Sequence, residues 1–151
     1  MSAAQIRRQV AQALAACESK KAFDFSVLKL DASSSGFTDY FLVCSGTNPR
    51  QIQAISDEVQ DQLERAGLRP AHTEGYRQAE WVLLDYVDFV VHIFSERARR
   101  YYDLERLWKS AERLEPASLK PKPKRPRAAA PRRKPAAAGK PAVAGKPARR
   151  R

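Results

Sequence analysis

Pairs of carboxylates are the first residues whose spacing could support chemistry. Metal-dependent nucleotidyl transfer needs two carboxylates that share a Mg²⁺ ion, and these usually stand two residues apart on one face of a strand. Asp85 and Asp88 are three residues apart across a predicted turn, so their side chains should point to different sides. Asp31 and Asp39 flank a loop, and neither has an acidic residue two positions further on. The carboxylates therefore predict no metal-dependent catalysis.

Histidine and cysteine are too sparse to suggest a catalytic or metal site. Nucleophilic catalysis needs a base beside its nucleophile. His72 lies in a polar loop, and His92 lies inside the apolar run VVHIF, where a hydrogen-bonded histidine within a sheet is expected. Cys17 and Cys44 lie in apolar surroundings without metal-ligand or redox spacing, which indicates buried, reduced thiols. We predict no catalytic residue, no metal or cofactor site, and no enzyme activity.

Another group of residues could recognise a partner, namely the aromatic and acidic side chains at the ends of predicted elements. Tyrosine and tryptophan offer a large contact area at a low entropic cost and dominate the energetics of many interfaces. The candidate contact residues are Asp39, Tyr40, Trp81, Asp85, Tyr86, Tyr102 and Asp103. Trp81, Tyr86 and Tyr102 are the strongest candidates, because each stands next to charge at the end of an element. Phe41 and Trp108 lie on predicted core faces.

The first third of the chain reads as a helix followed by two strands. Ser2 is placed to cap a helix in which apolar residues recur every three or four positions as far as Cys17. A half-buried strand is predicted at 23–30 and a second strand at 37–45, with a small polar loop at 32–36 between them. The second strand is apolar enough to be covered on both faces.

The middle of the chain predicts a well-bounded helix and a pair of strands. Asn48 is a good N-cap, Gln51 completes a capping-box arrangement, and Gly67 ends the helix. Two dense apolar runs follow at 80–86 and 88–94. The link between them is so short that it allows antiparallel pairing but not a parallel crossover.

A third helix is predicted from Ser95 to about Leu114, where Pro116 stops it. Its predicted apolar side consists of Tyr101, Leu104, Trp108 and Ala111. The complete order is helix, strand, strand, helix, strand, strand, helix. This order predicts an α/β (α+β) domain in which helices flank a single mixed β-sheet.

The charge of the chain is divided between two parts. Residues 1–115 hold 15 Lys and Arg against 17 Asp and Glu, a net charge of −2, whereas residues 116–151 hold 13 Lys and Arg and no acidic residue. The second part also carries eight of the ten prolines and almost no large apolar residues. Such a segment cannot bury enough surface to offset chain entropy. We therefore predict a folded domain at 1–115 and a disordered basic tail at 116–151.

Targeting signals are absent from the sequence pattern. The N-terminus has no unbroken apolar stretch, and no segment approaches the length needed to span a membrane. These features predict a cytoplasmic protein that does not contact membranes.

Four blocks of residues carry a family resemblance. They are FTDYFLV at 37–43, GTNPRQIQAI at 46–55, EG at 74–75 followed by AEWVLLDYVDFVVHIF at 79–94, and YYDLERLW at 101–108. In their order and spacing they resemble the ribosomal silencing factor (Iojap) family. Together the blocks span most of residues 20–112, which is far more specific than a lone motif.

The resemblance implies both a fold and a function. The fold is an α/β domain related to the nucleotidyltransferase fold without its catalytic carboxylates, in agreement with the missing carboxylate pair. The implied partner is the large ribosomal subunit, bound through its L14-type protein on the face that meets the small subunit. Occupying that face blocks subunit joining and represses translation under nutrient limitation. The resemblance also implies a homodimer when the protein is free.

Two positions depart from the family pattern. The family usually has glycine where this chain has Val87, and it often has histidine where this chain has Gln51. Since a β-branched residue disfavours positive φ, the turn at Val87 is expected to take another geometry. The tail lies outside the four blocks, so the resemblance implies nothing about it.

Two other functions are consistent with parts of the sequence. One is an active nucleotidyltransferase relative, which the missing carboxylate pair disfavours. The other is an RNA-binding protein whose basic tail is the functional part, and this role is compatible with ribosome binding. The tail residues that could contact ribosomal RNA are Lys120, Lys122, Lys124, Arg125, Arg127, Arg132, Arg133 and Lys134. A solubilising extension with no specific role is the simpler interpretation of the tail.

Overall fold

The computed structural model of the chain describes residues 2–30, 38–109 and 111–119. The predictions for the loop at 32–36, for Phe37 and for the basic residues from Lys120 onward lie outside these residues. Within the described part, no helix is both long and apolar enough to cross a membrane.

A single mixed sheet organises the described part of the chain. In chain order the elements are α1 (Ala3–Ser19), β1 (Phe23–Lys29), β2 (Tyr40–Gly46), α2 (Pro49–Arg65), β3 (His72–Glu74), β4 (Trp81–Asp85), β5 (Phe89–Ser95), α3 (Glu96–Tyr102), α4 (Leu104–Leu107), β6 (Glu112–Leu114) and α5 (Pro116–Leu119). The strand order is β3-β4-β5-β2-β1-β6. Only the β2–β5 pair is parallel among the described ladders. The prediction of one mixed sheet flanked by helices is confirmed.

The first face of the sheet is covered by α1 and α2, and the N-caps predicted at Ser2 and Asn48 both form. Ser2 Oγ accepts a hydrogen bond from the Gln5 amide at 3.1 Å, and Asn48 Oδ1 accepts one from the Gln51 amide at 2.8 Å. The Gln51 side chain also donates to the carbonyls of Lys20 and Lys21, both at 3.0 Å, and so ties the start of α2 to the end of α1. The apolar stripes of the two helices close this side of the core.

The second face of the sheet is covered less completely. Its apolar cluster includes Phe41, Val43, Val90 and Phe94 from the strands, and among the described residues the helices contribute only Ala98 and Leu104 to its buried part. Helix α3 has seven residues and α4 has four, whereas α1 and α2 each have 17. Strand β4 is therefore only partly screened from solvent on this face, whereas the side chains of β5 beside it are buried.

The prediction of one long third helix is wrong. Helix α3 begins as predicted, with Ser95 Oγ accepting from the Ala98 amide at 3.0 Å, but it ends at Tyr102. Asp103 then adopts a left-handed conformation with φ 45°, which breaks the helix before α4 begins. The last part of the predicted helix is instead strand β6, which pairs antiparallel with the free edge of β1.

Two further elements differ from prediction. The short edge strand β3 pairs antiparallel with β4, although its sequence has no apolar pattern that would predict a strand. Pro116 does not end the folded part, because it opens helix α5, whose Leu119 is 7% exposed and packs in the core cluster of the first face. Packing therefore continues for at least four residues past the predicted start of the tail.

The turn between β4 and β5 has the positive-φ geometry that was not expected for a β-branched residue. The two strands pair antiparallel as predicted. Val87, however, adopts φ 74° at the tip of the hairpin, although it is β-branched. The turn is held by hydrogen bonds from the Val87 amide to Asp85 Oδ1 at 2.8 Å and from the Asp88 amide to the Tyr86 carbonyl at 2.8 Å. These bonds impose a conformation that valine disfavours.

Candidate partner-binding surface

Strand β4 distributes its residues between the two faces of the sheet. Val82 and Leu84 are fully buried against the first face. Trp81, Leu83 and Asp85 point to the second face, where each is only half-buried. This alternation follows from the two-residue period of a strand. It leaves a row consisting of an indole, an isobutyl group and a carboxylate on the partly open side.

The Trp81 ring is fixed by contacts on several sides. Its indole Nε1 donates a hydrogen bond to His92 Nδ1 at 3.0 Å. The ring stacks on Phe94 with centroids 4.9 Å apart, and it contacts Tyr102 at 4.7 Å. Gly75 closes the site from the backbone side, because a Cβ atom there would lie 2.0 Å from the Trp81 carbonyl oxygen. The glycine is therefore required by this close approach, and it also has φ 83°.

The histidine below this ring is buried and neutral. His92 is 3% exposed and lies edge-on to Phe41 with centroids 4.6 Å apart. Burial lowers the pKa of His92 to about 3, since no charged form can be solvated there. The prediction of a hydrogen-bonded histidine within the sheet is confirmed, and its partner is the indole of Trp81.

Helices α3 and α4 extend the surface with exposed apolar side chains. Tyr101 is 77% exposed, Tyr102 is 46% exposed and Leu107 is 73% exposed. The two tyrosine rings meet edge-on with centroids 5.0 Å apart. A groove of about 430 Å³ lies between them and the residues Glu80, Arg97 and Ala98. We call the group Trp81, Leu83, Asp85, Tyr101 and Tyr102 the Trp81 surface.

The opposite end of β4 is acidic. Asp85 and Asp88 flank the hairpin tip, and the Asp39 amide donates to the Asp88 carbonyl at 3.0 Å. All three side chains are half-buried. Val87, which is 58% exposed, projects from the same tip. The structure thus brings Asp39 and Asp85 to one end of the surface and Tyr102 to the other end, beside the Trp81 ring. Asp103 instead lines a different groove, together with Ser26, Arg99 and Glu105.

A polar network anchors α3 and α4 to the sheet. Arg99 donates to Ser45 Oγ at 2.8 Å and to Glu105 Oε2 at 2.6 Å. Ser26 donates to the same carboxylate at 2.8 Å and accepts from Arg113 at 2.9 Å. Burial alone would raise the pKa of Glu105, but the hydrogen bonds from Arg99 and Ser26 and the charge of Arg99 outweigh burial and hold that pKa below its usual value. The network connects α3 and α4 with β1, β2 and β6.

Two of the predicted contact residues belong to the core instead. Tyr40 and Tyr86 are each 4% exposed and pack in the cluster of the first face. The Tyr86 ring stacks on Phe89 with centroids 5.1 Å apart, and burial raises the pKa of its hydroxyl to about 12. Neither tyrosine offers surface to a partner. Tyr86 is buried because the two-residue period of the strand places it on the opposite face from Trp81.

The sequence reasoning missed three residues of this region. Leu83 follows Trp81 by two positions, so the strand period could have identified it. The sequence pattern places Tyr101 on the apolar side of a long helix, and it gives no signal for Leu107. Leu104, Trp108 and Ala111 pack on the second face as predicted. Because the helix breaks at Asp103, Tyr101 does not share their side, and both Tyr101 and Leu107 are exposed.

Several known proteins are similar to this chain in sequence and in fold. The model of the family "ribosomal silencing factor during starvation" matches residues 3–140. The match therefore continues into the predicted tail, which the four blocks did not. The chain is 43% identical to the ribosomal silencing factor RsfS of Bacillus subtilis over 99 residues, which cover 66% of this chain and 83% of that protein. It is 33% identical over 79 residues to the chloroplastic protein Iojap of Zea mays, covering 52% of this chain and 34% of that protein.

Two crystal structures have a similar fold. A protein of Chromobacterium violaceum is 33% identical with a TM-score of 0.67, and the similarity covers 72% of this chain and 88% of that chain. A protein of Bacillus halodurans is 38% identical with a TM-score of 0.62, covering 70% of this chain and 95% of that chain. Because the family model matches most of the sequence and the fold agrees, the chain belongs to the ribosomal silencing factor family.

Proposed function

We propose that this chain binds the large ribosomal subunit through its L14-type protein, keeps the small subunit from joining, and so represses translation under nutrient limitation. The observation that carries the proposal is the Trp81 surface, an exposed aromatic surface on a member of the ribosomal silencing factor family. Binding takes place in the cytoplasm, where the ribosomes are. A free homodimer, which the family resemblance implies, would compete for the same exposed rings.

The Trp81 surface has the properties of a binding hot spot. Binding energy concentrates on a few aromatic side chains that are already held in place, since ordering them costs little when the partner arrives. Trp81 is held by His92, Phe94 and Tyr102, so its exposed edge is available in one orientation. Leu83 offers an apolar contact two residues further along the same face.

The carboxylates at the hairpin end of the surface favour a basic partner. Proteins that bind ribosomal RNA carry many lysines and arginines, because phosphate contacts require positive charge. Asp39, Asp85 and Asp88 offer three carboxylates to such a partner. Complementary charge at the rim of an interface speeds association and suppresses wrong partners. A basic ribosomal protein is therefore a better match to this end of the surface than an acidic or nucleic-acid partner.

The basic tail would add a second contact. Residues 120–151 could reach about 100 Å as an extended proline-rich chain. We propose that the basic residues between Lys120 and Lys134 contact ribosomal RNA when the domain is docked on the subunit. Each phosphate that the tail neutralises releases counterions, so this contribution should decrease as salt increases.

The test combines subunit joining with direct binding. The purified chain is mixed with large and small subunits, and the fraction of joined ribosomes is measured by sedimentation. The chain should decrease that fraction, and Trp81→Ala should restore it by weakening binding to the L14-type protein about 30-fold, or about 2 kcal/mol. Tyr76→Ala is the matched control, because Tyr76 is 42% exposed but lies outside the Trp81 surface. Undiminished joining in the presence of the wild-type chain would refute the proposal.

The tail is tested by a deletion that keeps the folded part intact. A chain that ends at Leu119 retains helix α5 and its buried leucine. Its affinity for the isolated L14-type protein should equal that of the full chain, whereas its affinity for whole large subunits should be weaker and less dependent on salt. Parallel salt dependence for the two chains would exclude the contact between the tail and RNA.

A further inference from the structure

The hydrogen bond between Trp81 and His92 connects the exposed surface to the interior of the sheet. The two residues are diagonal neighbours on adjacent antiparallel strands, since Trp81 pairs with Phe94 and Leu83 pairs with His92. Their side chains therefore point to the same face and lie within reach of each other. The indole has a single N–H group, and that group is directed inward to His92 Nδ1 at 3.0 Å.

The bond defines the state of the imidazole. Because Nδ1 accepts a hydrogen bond from the indole, it carries no proton, and the proton of the neutral ring is on Nε2. Among the described residues, the buried Nε2 atom has no hydrogen-bond partner. The bond from Trp81 is thus the polar contact that orients the ring, and an unmet N–H group on the other side opposes stability.

Neighbouring rings prevent His92 from turning. Phe41 lies edge-on to the imidazole with centroids 4.6 Å apart, and Phe41 itself contacts Trp108 edge-on at 5.6 Å. Phe94 lies nearly parallel to the imidazole with centroids 6.2 Å apart. An acceptor that is locked in this way can fix the angle of a ring that is only half-buried. Packing alone would be served better by an apolar residue, because that residue would leave no buried donor unpaired.

We propose that His92 is a positioning residue for partner binding, which holds the Trp81 ring through the Nε1–Nδ1 hydrogen bond in the orientation that the partner contacts. The inference rests on the proposed function of the Trp81 surface. Without the acceptor, the indole can turn its N–H group toward solvent, and the partner must then order the ring on binding. Immobilising one side chain on binding corresponds to a loss of affinity of about 2- to 10-fold.

The test uses two substitutions of His92 with opposite expectations. His92→Leu fills the space but has no acceptor, whereas His92→Asn places a carbonyl oxygen near the position of Nδ1. Affinity for the L14-type protein should fall about 2- to 10-fold in His92→Leu and recover toward the wild-type value in His92→Asn. The melting temperature of His92→Leu should equal or exceed that of the wild type, because the unpaired Nε2–H group is gone. A purely structural role predicts the reverse, namely lower stability with unchanged affinity.

A spectroscopic measurement reads the ring directly. In a Trp108→Phe background the fluorescence reports Trp81 alone, and we expect a red shift in His92→Leu but not in His92→Asn. In the wild-type chain, nuclear magnetic resonance should show a coupling across the hydrogen bond between the Trp81 Nε1 and His92 Nδ1 nitrogens. Ile55→Val, a substitution in the cluster of the first face, controls for general loosening of the core.

The outcomes separate this inference from the proposed function. If Trp81→Ala loses affinity while His92→Leu binds like the wild type, His92 does not position the ring. If the wild-type chain binds no ribosomal protein, the proposed function fails, and the fluorescence shift and the coupling still decide whether His92 fixes Trp81. An absent coupling together with an unshifted spectrum in His92→Leu overturns the inference.

Discussion

The acid dependence of folding should carry a signature of His92, and His92→Leu should remove it. The imidazole is enclosed by the rings of Phe41, Trp81 and Phe94, and burial lowers its pKa to about 3. The hydrogen bond from Trp81 opposes protonation as well, because a proton on Nδ1 would face the indole N–H group. Protonation of His92 is therefore strongly disfavoured in the folded chain, whereas in the unfolded chain His92 is protonated like any exposed histidine.

The sign and size of the effect follow from this difference. An unfolded histidine has a pKa of about 6.5, so below that pH the unfolded chain binds a proton that the folded chain does not. The folded-state pKa is depressed, which means that the contribution of His92 to stability is complete above about pH 6.5 and is lost as the pH falls. Each pH unit below this value costs about 1.4 kcal/mol, and the loss between pH 7 and pH 5 amounts to about 2 kcal/mol. Below about pH 3 the folded chain also binds the proton, and the loss levels off.

The assay compares urea unfolding of the wild type and His92→Leu at pH 7, 6 and 5. Carboxylates titrate in both proteins, so the difference between their unfolding free energies isolates the histidine. We expect this difference to shift by about 2 kcal/mol in favour of the leucine variant between pH 7 and pH 5. If the difference between the two unfolding free energies instead stays constant from pH 7 to pH 5, the folded chain accepts the proton. His92 would then not be a buried neutral acceptor.

Three other perturbations test different parts of the fold. Val87→Gly should raise the free energy of unfolding by about 0.5–1 kcal/mol in chemical denaturation, since glycine relieves a strained φ of 74° but has more freedom when unfolded. Glu105→Gln should lower it by about 1–2 kcal/mol at pH 7, because the charge-assisted bonds from Arg99 weaken. This deficit should shrink as the pH falls below about 4.5, since the depressed pKa of Glu105 makes its contribution present above that value and lost at lower pH. Cys17 and Cys44 should react with a thiol reagent only at the rate of unfolding, because both are buried, and the hydrogen bond that the Cys17 thiol makes with Cys44 raises the pKa of Cys17 together with burial.

Each of these expectations has an outcome that contradicts it. A less stable Val87→Gly variant would mean that the side chain, although 58% exposed, makes contacts worth more than the strain. A deficit in Glu105→Gln that stays constant from pH 7 to pH 3 would mean that the carboxylate charge is irrelevant to the network. Thiol labelling that is faster than global unfolding would show that α1 opens locally from the sheet.

Much of the fold could be predicted from the sequence, because local patterns determine it. The caps at Ser2 and Asn48 and the glycine after α2 are chemical signals that need no knowledge of distant residues. The apolar runs of β4 and β5 lie so close together that only an antiparallel hairpin can connect them. In each of these cases the physical cause and its effect lie within a few positions of each other.

The end of the domain could not be predicted in the same way. Strand β6 has the sequence Glu-Arg-Leu, which continues a helical pattern as well as it forms a strand. It becomes a strand because the edge of β1 is free to pair with it, and no local pattern indicates a free edge. The break at Asp103 is similar, since an aspartate tolerates a left-handed conformation but does not require it.

The residues of the candidate site also differ in whether a local pattern predicts them. The sequence identified Trp81 and Tyr102 as aromatic residues near charge, and the structure brings their rings into contact at 4.7 Å. The same criterion selects Tyr86 together with Trp81. Tyr86 lies five positions after Trp81, however, and side chains that alternate along a strand place it on the opposite face. The alternation of side chains can be predicted from the sequence. Which face of the sheet is more open cannot, because that depends on how many residues the covering helices contain.

The difference in cover explains why a histidine lies at the centre of this sheet. Two helices of 17 residues close the first face, and aliphatic packing fixes the side chains there. On the second face α3 and α4 together are too short to cover β4, so the Trp81 ring has neighbours on its inner side and solvent on its outer side. Apolar contacts restrain a half-covered ring weakly, because they have no direction, whereas a hydrogen bond from its single N–H group sets its angle. The acceptor must come from the sheet beneath, and position 92 is the diagonal neighbour that can supply it.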